Sequence, residues 1–422
     1  MTLQTQQLYL GARVTGGFEV LDPEERRRHL YIIGQTGTGK STLLLNLIAQ
    51  DIAAGEGLAL LDPHGDLAEA VLMHVRRKRT NDFVYINPAD AARPIGFNPL
   101  SSVPEDLKPI VADDVVGAFK HVWPDSWGPR LDYILMNAIR ALLDVPGGTL
   151  LMLPRLLIDD EYREQLLLRH VRDPVVQSFW RYEYAGYTPS LRAEAISPIQ
   201  NKIGRVLIEP RLRNMLAQPS STITFRRMMD EGAIVICNLA KGRLGESVAH
   251  LLGALLTSSI AQAALSRADA PASERRTFHL YADEFQSFAT NSFALILSEA
   301  RKYGLTLTIA HQYLNQLTDE LRSAVFGNVG SLAALRTGAE DAAILAEQIG
   351  LGGRDALLDL GNFTGWARLL RNGAPTSPIR LDLSPAPLSR RSSPHRLIAT
   401  SARRFGRPRA QVEERVRRFL AA

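Results

Sequence analysis

Cysteine is almost absent: Cys237 is the only one in the chain. An internal disulfide is therefore excluded, and a reducing compartment fits. The apolar run Ala233-Ile-Val-Ile-Cys237 marks that thiol as a buried core residue. The N-terminus has no basic-then-apolar pattern, so no secretory signal is expected. No run reaches the roughly 20 uninterrupted apolar residues of a membrane span. The best candidate, Leu251 to Gln262, is short and carries Thr257, Ser258 and Ser259, and reads as a buried helix. A cytoplasmic protein, peripheral at the inner membrane at most, is the expectation. There is no internal repeat.

Net charge is also small, at +5, and it is unevenly placed. From Ser389 to Ala422 ten arginines face only Glu413 and Glu414, a local balance of +8 that leaves the rest near −3. Such a tail either attracts a polyanion or is a solvated arm. What remains is ordinary for a soluble enzyme, 45% hydrophobic and 22% charged, in a chain of 422 residues that exceeds one core.

Short apolar runs alternating with amphipathic helices predict a parallel α/β sheet. Strands are expected at 29–33, 57–61, 83–86, 233–239, 277–282, 305–310, 329–335 and 364–370. Helices are expected at 40–54, 67–77 and 246–266. Between Glu105 and Leu216 no convincing strand occurs, and helical stretches at 106–122, 130–143, 160–171 and 193–207 predict an inserted all-α domain. Its aromatics (Trp123, Trp127, Phe179, Trp180, Tyr182, Tyr184, Tyr187) read as core rather than as a platform for bases. The expected layout is 1–100 and 221–384 as two parts of one nucleotide-binding domain, 101–220 as the helical insertion, and 385–422 as a basic tail. That tail reads as a flexible linker leading to a short helix, 409–420.

Three segments carry chemistry. Gly34-Gln35-Thr36-Gly37-Thr38-Gly39-Lys40-Ser41, followed by Thr42, is a complete phosphate-binding loop between a strand and a helix. Its glycines let backbone N–H groups and a helix N-terminus face phosphate. Lys40 reaches the β- and γ-phosphates of ATP, and Ser41 offers a hydroxyl to Mg²⁺. His279-Leu-Tyr-Ala-Asp283-Glu284 is a strand ending in two carboxylates, the Walker B pattern. Asp283 suits the magnesium shell and Glu284 a general base; the plainer reading is an acidic pair capping the next helix. Leu305 to His311, followed by Gln312, delivers a polar pair at a third strand end, where ligands of open α/β sheets sit. Gln312 suits a γ-phosphate sensor or a routine helix start, and His311 a structural role. Asp62 ends the second strand near the same edge and suits the magnesium shell or the groups just outside it, with Asp66 as an expected helix N-cap. By position alone Arg301 is ordinary helix-end capping, and Arg336 is a second arginine candidate.

These segments together resemble the HerA/FtsK superfamily of P-loop ATPases. They are the loop GQTGTGKS, DPHGDL at Asp62, FNPL at Phe97, ADEFQ at Ala282, EARKYGL at Glu299, AHQ at Ala310 and GNVGS at Gly327. Within it the chain is similar to the conjugative type IV coupling proteins, the TraG/TraD-like ATPases. The resemblance implies a RecA-like fold, a hexameric ring with ATP at subunit interfaces, and a central channel for DNA. It places an all-α domain at one face of the ring, makes Arg301 an arginine finger acting on a neighbouring subunit, and makes Gln312 the family glutamine. Membrane-embedded members carry N-terminal membrane helices, whereas only about 25 residues precede the first strand expected here.

The resulting expectation is an ATP-driven DNA pump of the coupling-protein type, with a relaxase or secretion channel as partner. Two alternatives remain within the fold: a HerA-like duplex translocase working with a nuclease, and a secretion ATPase that moves protein. A nucleotide-gated assembly module with little turnover is a fourth reading.

Overall fold

The computed structural model describes residues 7–388 and 394–421. Residues 1–6, where a leader was sought, and 389–393, with Arg390 and Arg391 of the basic tail, lie outside them. One compact unit comprises the residues up to Ile86, Phe225–Lys241 and Ile260–Ser401; the second comprises Asn87–Thr224, Gly242–Ser259 and the residues from Ala402 onward.

The first unit holds an α/β sheet. Seven strands run parallel: β3 (Leu30–Ile33), β4 (Gly57–Asp62), β5 (Phe83–Ile86), β6 (Ile234–Asn238), β7 (Phe278–Ala282), β8 (Leu305–His311) and β9 (Ser331–Ala334), in the order β9-β3-β8-β7-β4-β6-β5. Every residue of these seven is buried, as expected for a parallel sheet covered on both faces. All eight expected strands are present with small shifts at their ends. Beyond β9 the sheet continues antiparallel through β10 (Thr364–Arg368), β13 (Ile379–Asp382), β1 (Leu8–Arg13) and β2 (Phe18–Leu21). Two further strands, β11 (Leu370–Arg371) and β12 (Ala374–Pro375), form a separate small hairpin.

The sequence reading missed β1, β2 and β13. They are short strands at the antiparallel side of the sheet, with β2 at its edge. The clue passed over was Gly16-Gly17, both in the left-handed region (φ 92° and 84°), which turns β1 into β2.

Register does the positioning. Ile33 of β3 pairs with His311 of β8 and with Ala334 of β9, so Gly34 and Gln312 leave the sheet side by side. Because β8 lies between β3 and β7, Gln312 emerges between the phosphate loop and Asp283-Glu284. The helix Lys40–Ala54 is anchored through Leu43, Leu44, Leu47 and Ile48, all buried in the core. At about 1.5–3 kcal/mol per buried side chain, this fixes the helix start on which the loop ends.

The second unit is mostly helical, with Lys108–Val122, Pro129–Leu143, Asp160–Arg169 and Pro189–Ile208 as its longer early helices. Phe179, Trp180 and Tyr184 are its buried aromatics, with Trp180 and Tyr184 ring centroids 4.8 Å apart. The core reading holds for these three. Trp123, Trp127 and Tyr187 are only half-buried, and Tyr182 is on the surface.

Two expectations need correction. The helix expected at 409–420 is present, but a second helix stands where linker was expected, and neither is a solvated arm. His395–Phe405 is a helix that buries Leu397 against the core of the first unit, where Ser401 Oγ accepts from Tyr85 N at 2.8 Å. Arg409–Ala421 is a helix of the second unit, with Val416 packed against Leu151 and Ala217. The Ser/Pro/Arg composition concealed a pattern in which only one residue in four needs to be apolar. The other correction is to length alone: the helix expected at 246–266 is present, and it extends well beyond the apolar run Leu251 to Gln262. Glu246–Asp269 is long and apolar enough to cross a membrane, yet 67% of its apolar window is buried within the protein.

Candidate nucleotide site

The phosphate loop is held from both sides by neighbouring strands. Gly34 N donates to His311 O (3.4 Å), and Gln35 N to Arg336 O (2.8 Å). Gly37 and Gly39 take φ of 78° and 118°, which a side chain would oppose. At Gly39 an added Cβ would also meet Phe363 Cδ1 at 2.9 Å. Thr38 Oγ1 closes the turn by donating to Gln35 O at 2.7 Å.

Lys40 is buried, and its Nζ donates to the loop's own carbonyls, Gly34 O (2.7 Å) and Gln35 O (3.3 Å). Burial lowers its pKa, opposed by the charges of Glu284 and Asp283. Ser41 Oγ donates to Asp283 Oδ2 at 3.3 Å. Asp283 is 4% exposed, and its carboxyl is pushed up to about 7 by burial first, then by the charges of Asp62 and Glu284. A hydroxyl and a carboxylate this close, inside an excess of acid, fit a divalent cation: its charge would offset what burial makes costly.

Glu284 adopts a left-handed backbone (φ 47°, ψ 50°), unusual for a residue with a side chain. Such strain clusters at functional sites. The turn points its carboxylate at two amides: Gln312 Nε2 donates to Oε1 (2.8 Å) and Gln286 Nε2 to Oε2 (2.9 Å). Gln312 Oε1 accepts from Thr36 Oγ1 of the phosphate loop at 3.0 Å. Gln312 thus links loop and acid. Its own backbone is fixed by Gln316 Oε1, which accepts from the N–H of both Gln312 and Tyr313 at 3.2 Å. Neither Gln286 nor Gln316 was singled out from the sequence, since a surface-type amide carries no pattern of its own.

His311 is fully buried, stacked on Tyr31 with ring centroids 5.3 Å apart and hydrogen-bonded to its hydroxyl. Burial holds its pKa down to about 3, so it is a neutral core residue, as expected. Asp62 accepts from His64 N (2.9 Å) and Ala68 N (2.8 Å), which caps the next helix. The N-cap expected at Asp66 is instead Gly65, and Asp66 is the first helical residue. Arg336 lies beside the phosphate loop of its own chain, its guanidinium bound to Leu360 O (3.2 Å) and Asn362 Oδ1 (3.0 Å).

Arg301 stands apart from the rest. It lies in the turn Ala300–Tyr303 before β8, at the opposite end of that strand from Gln312. Seven strand residues span roughly 20 Å, so Arg301 cannot reach the phosphate loop of its own chain. It is exposed, and among the described residues its guanidinium has no hydrogen bond or ion pair.

Residues 20–259, more than half of the chain, match the family model described as helicase HerA, central domain. No curated protein sequence matches the chain. Among solved structures it is similar to the bacterial conjugative coupling protein TrwB (16% identity, TM-score 0.65, covering 89% of this chain and 88% of that one). The same protein bound to the non-hydrolysable ATP analogue ADPNP gives 17% identity and a TM-score of 0.65, over 93% of each chain. VirB4 of Thermoanaerobacter pseudethanolicus gives 17% identity and a TM-score of 0.60, over 90% of this chain and 96% of that one. At these identities the likeness concerns the fold.

Proposed function

From the premise that this chain belongs to the helicase HerA central-domain family and is a P-loop ATPase, we propose that it is an ATP-driven DNA translocase of the coupling-protein type, hydrolysing ATP at the subunit interfaces of a hexameric ring. One observation carries the interface reading. The groups suited to hydrolysis cluster at one end of the parallel strands, while Arg301, with no partner among the described residues, waits at the other end. A ring in which each subunit turns one end of its sheet toward the other end of its neighbour's brings the two together.

In this reading the loop amides and the start of the helix Lys40–Ala54 cradle the phosphates of ATP. Lys40 exchanges the carbonyls of Gly34 and Gln35 for the β- and γ-phosphates. Ser41 and Asp283 would hold Mg²⁺, which supplies charge neutralisation for the phosphate oxygens. Glu284 takes the proton of the attacking water, oriented by Gln312, which touches both the loop and the acid. Arg301 of the next subunit stabilises the charge that develops on the γ-phosphate.

DNA as the cargo is supported by the word helicase in the family description and by the conjugative coupling role that TrwB's name records. The test is ATPase activity measured with single-stranded DNA, duplex DNA or unfolded polypeptide. Stimulation by DNA supports the proposal; duplex-only stimulation moves it toward the HerA-like reading with a nuclease partner. Stimulation by polypeptide alone would overturn the choice of cargo.

A further inference from the structure

We propose that Phe363 is the stacking platform for the nucleobase of the nucleotide whose phosphates the loop receives; the inference rests on the nucleotide-binding reading above. Phe363 is an aromatic in an unusual place. Its φ is 61°, in the left-handed region that favours glycine, and 46% of it is exposed. Stability alone favours this position for phenylalanine only weakly. A glycine would take the same backbone turn without strain, and a half-exposed ring gains only part of the value of burial.

Its backbone is tied to the phosphate loop itself. Phe363 N donates to Thr38 O at 2.9 Å, and Phe363 O accepts from Leu383 N at 2.8 Å. The ring lies so close to Gly39 that a Cβ added there would meet Phe363 Cδ1 at 2.9 Å and Leu383 Cδ1 at 3.2 Å. The approach to the ring is also fixed. Arg336 holds Leu360 O and Asn362 Oδ1, and its own carbonyl receives Gln35 N of the loop at 2.8 Å. Thr364 Oγ1 closes the turn on Gly361 O at 2.8 Å. Arg336 is therefore a positioning residue: through one backbone and two side-chain bonds it locks the Phe363 loop to the phosphate loop.

The arrangement leaves a half-exposed aromatic ring, held at a fixed place, next to the residue that precedes Lys40. A nucleoside triphosphate seated on Lys40 and Ser41 carries one flat apolar group, its base, and stacking is the contact that such a ring offers. Every base has a π-face, so the platform accepts adenine and guanine alike and adds affinity without choosing between them.

The experiment uses the full chain and four ligands: ATP, GTP, inorganic tripolyphosphate and ADP, with affinity read by calorimetry. Wild type should bind ATP and GTP more tightly than tripolyphosphate. Phe363→Gly should fold at least as well by Tm, because glycine suits the backbone. It should lose about 5- to 100-fold in affinity for ATP, GTP and ADP while holding tripolyphosphate unchanged. Phe363→Trp should retain ATP affinity and show an indole emission change on ATP that tripolyphosphate does not cause. Equal ATP affinity in wild type and Phe363→Gly overturns the platform, as does an equal loss for ATP and tripolyphosphate. Wild type that binds none of the four overturns the nucleotide reading and the platform with it.

Discussion

Gln312 donates from Nε2 to Oε1 of Glu284 at 2.8 Å, so the residue that follows β8 sets the carboxylate that follows β7. This pairing separates two roles that a sequence leaves merged. Glu284→Gln should keep ATP binding and slow turnover by about 10²–10⁴, the usual cost of losing a general base. Gln312→Ala removes only the orientation of that base and its link to Thr36, and should slow turnover less, with KM little changed. Steady-state rates check both. Near-normal turnover by Glu284→Gln would remove it from the base role.

Lys40→Ala should abolish measurable ATP binding, because the loop's cation is lost from the phosphates. Stability should change little. In the unliganded chain Lys40 satisfies only Gly34 O and Gln35 O, on a loop otherwise held by His311 O and Arg336 O. Calorimetry against ATP and a melting curve are sufficient. Unaltered ATP affinity would contradict the assignment of the loop.

Besides His311, two more buried histidines make the fold acid-sensitive. His29 is locked as a neutral ring: Leu307 N donates to Nδ1 (3.1 Å) while Nε2 meets Leu297 O (3.1 Å). Burial and, more weakly, the charge of Arg301 hold its pKa down to about 4. His279, bonded to Thr306 Oγ1 at 2.7 Å, is held down to about 3 by burial and then by Arg26. Both lie below the unfolded value of about 6.5, so the unfolded chain binds protons that the native chain refuses. The stability these histidines contribute is therefore fully present above about pH 6.5 and declines as pH falls, while Asp283, pushed up to about 7, works in the opposite direction over the same range. Each histidine should cost roughly 2 kcal/mol by pH 5. The nearby Asp51 works the same way at lower pH. Burial disfavours its charge, but Arg26, at 2.5 Å, outweighs this and holds the carboxyl below its usual range. Urea unfolding between pH 7.5 and 5 tests this, and His279→Gln should flatten the slope. An unchanged slope in that variant would refute the assignment.

Much of this was legible in the sequence because the chemistry is local there. The phosphate loop, Asp283-Glu284 and Gln312 each follow a fully buried apolar strand, and register alone then brings them together. What was hidden depends on long-range pairing. The Arg26–Asp51 ion pair joins residues 25 positions apart, with Tyr281 donating to Asp51 at 2.6 Å. Phe363 meets Thr38 across more than 300 residues, and no periodicity announces it. Strands β1 and β13 pair across almost the whole chain. Arg301 is the opposite case: its place was legible, but its isolation from its own site became visible only in the fold.

The packed tail changes how its charge should be tested. Deleting it would strip Val412 and Val416 from the second unit and confuse folding with binding. Arg415, Arg417 and Arg418 are exposed, the last two sharing Glu414. Replacing all three by alanine should preserve Tm. If they meet DNA phosphates, the magnitude of the log–log salt slope should fall by about 0.9 for each phosphate of duplex DNA that is no longer neutralised. Binding measured from 50 to 200 mM salt gives the slope. An unchanged slope and affinity would mean that this helix face does not meet nucleic acid.

The most demanding prediction concerns Arg301, because it ties catalysis to assembly. Its guanidinium is exposed and has no ion pair among the described residues, and a full strand length separates it from Gln312. An arginine set against the γ-phosphate of a neighbouring subunit contributes about 10³–10⁵ to turnover in P-loop enzymes. Arg301→Ala should accordingly bind ATP well and hydrolyse it poorly, with no loss of Tm, since no hydrogen bond of the fold is removed. Mixing it with Glu284→Gln then asks where the arginine acts. Each variant alone has only defective sites: one lacks the base everywhere, the other the arginine everywhere. Mixed rings contain some interfaces where an intact Glu284 faces an intact Arg301, and these should recover activity above the sum of the two variants. Recovery should rise to a maximum near equal proportions and vanish when subunits cannot exchange. If Arg301 acted within its own chain, every subunit would still carry one defect and mixing would restore nothing. Robust activity of Arg301→Ala alone would end the assignment. Arg336, already bound to the Leu360–Asn362 turn, could take over only by giving up those bonds.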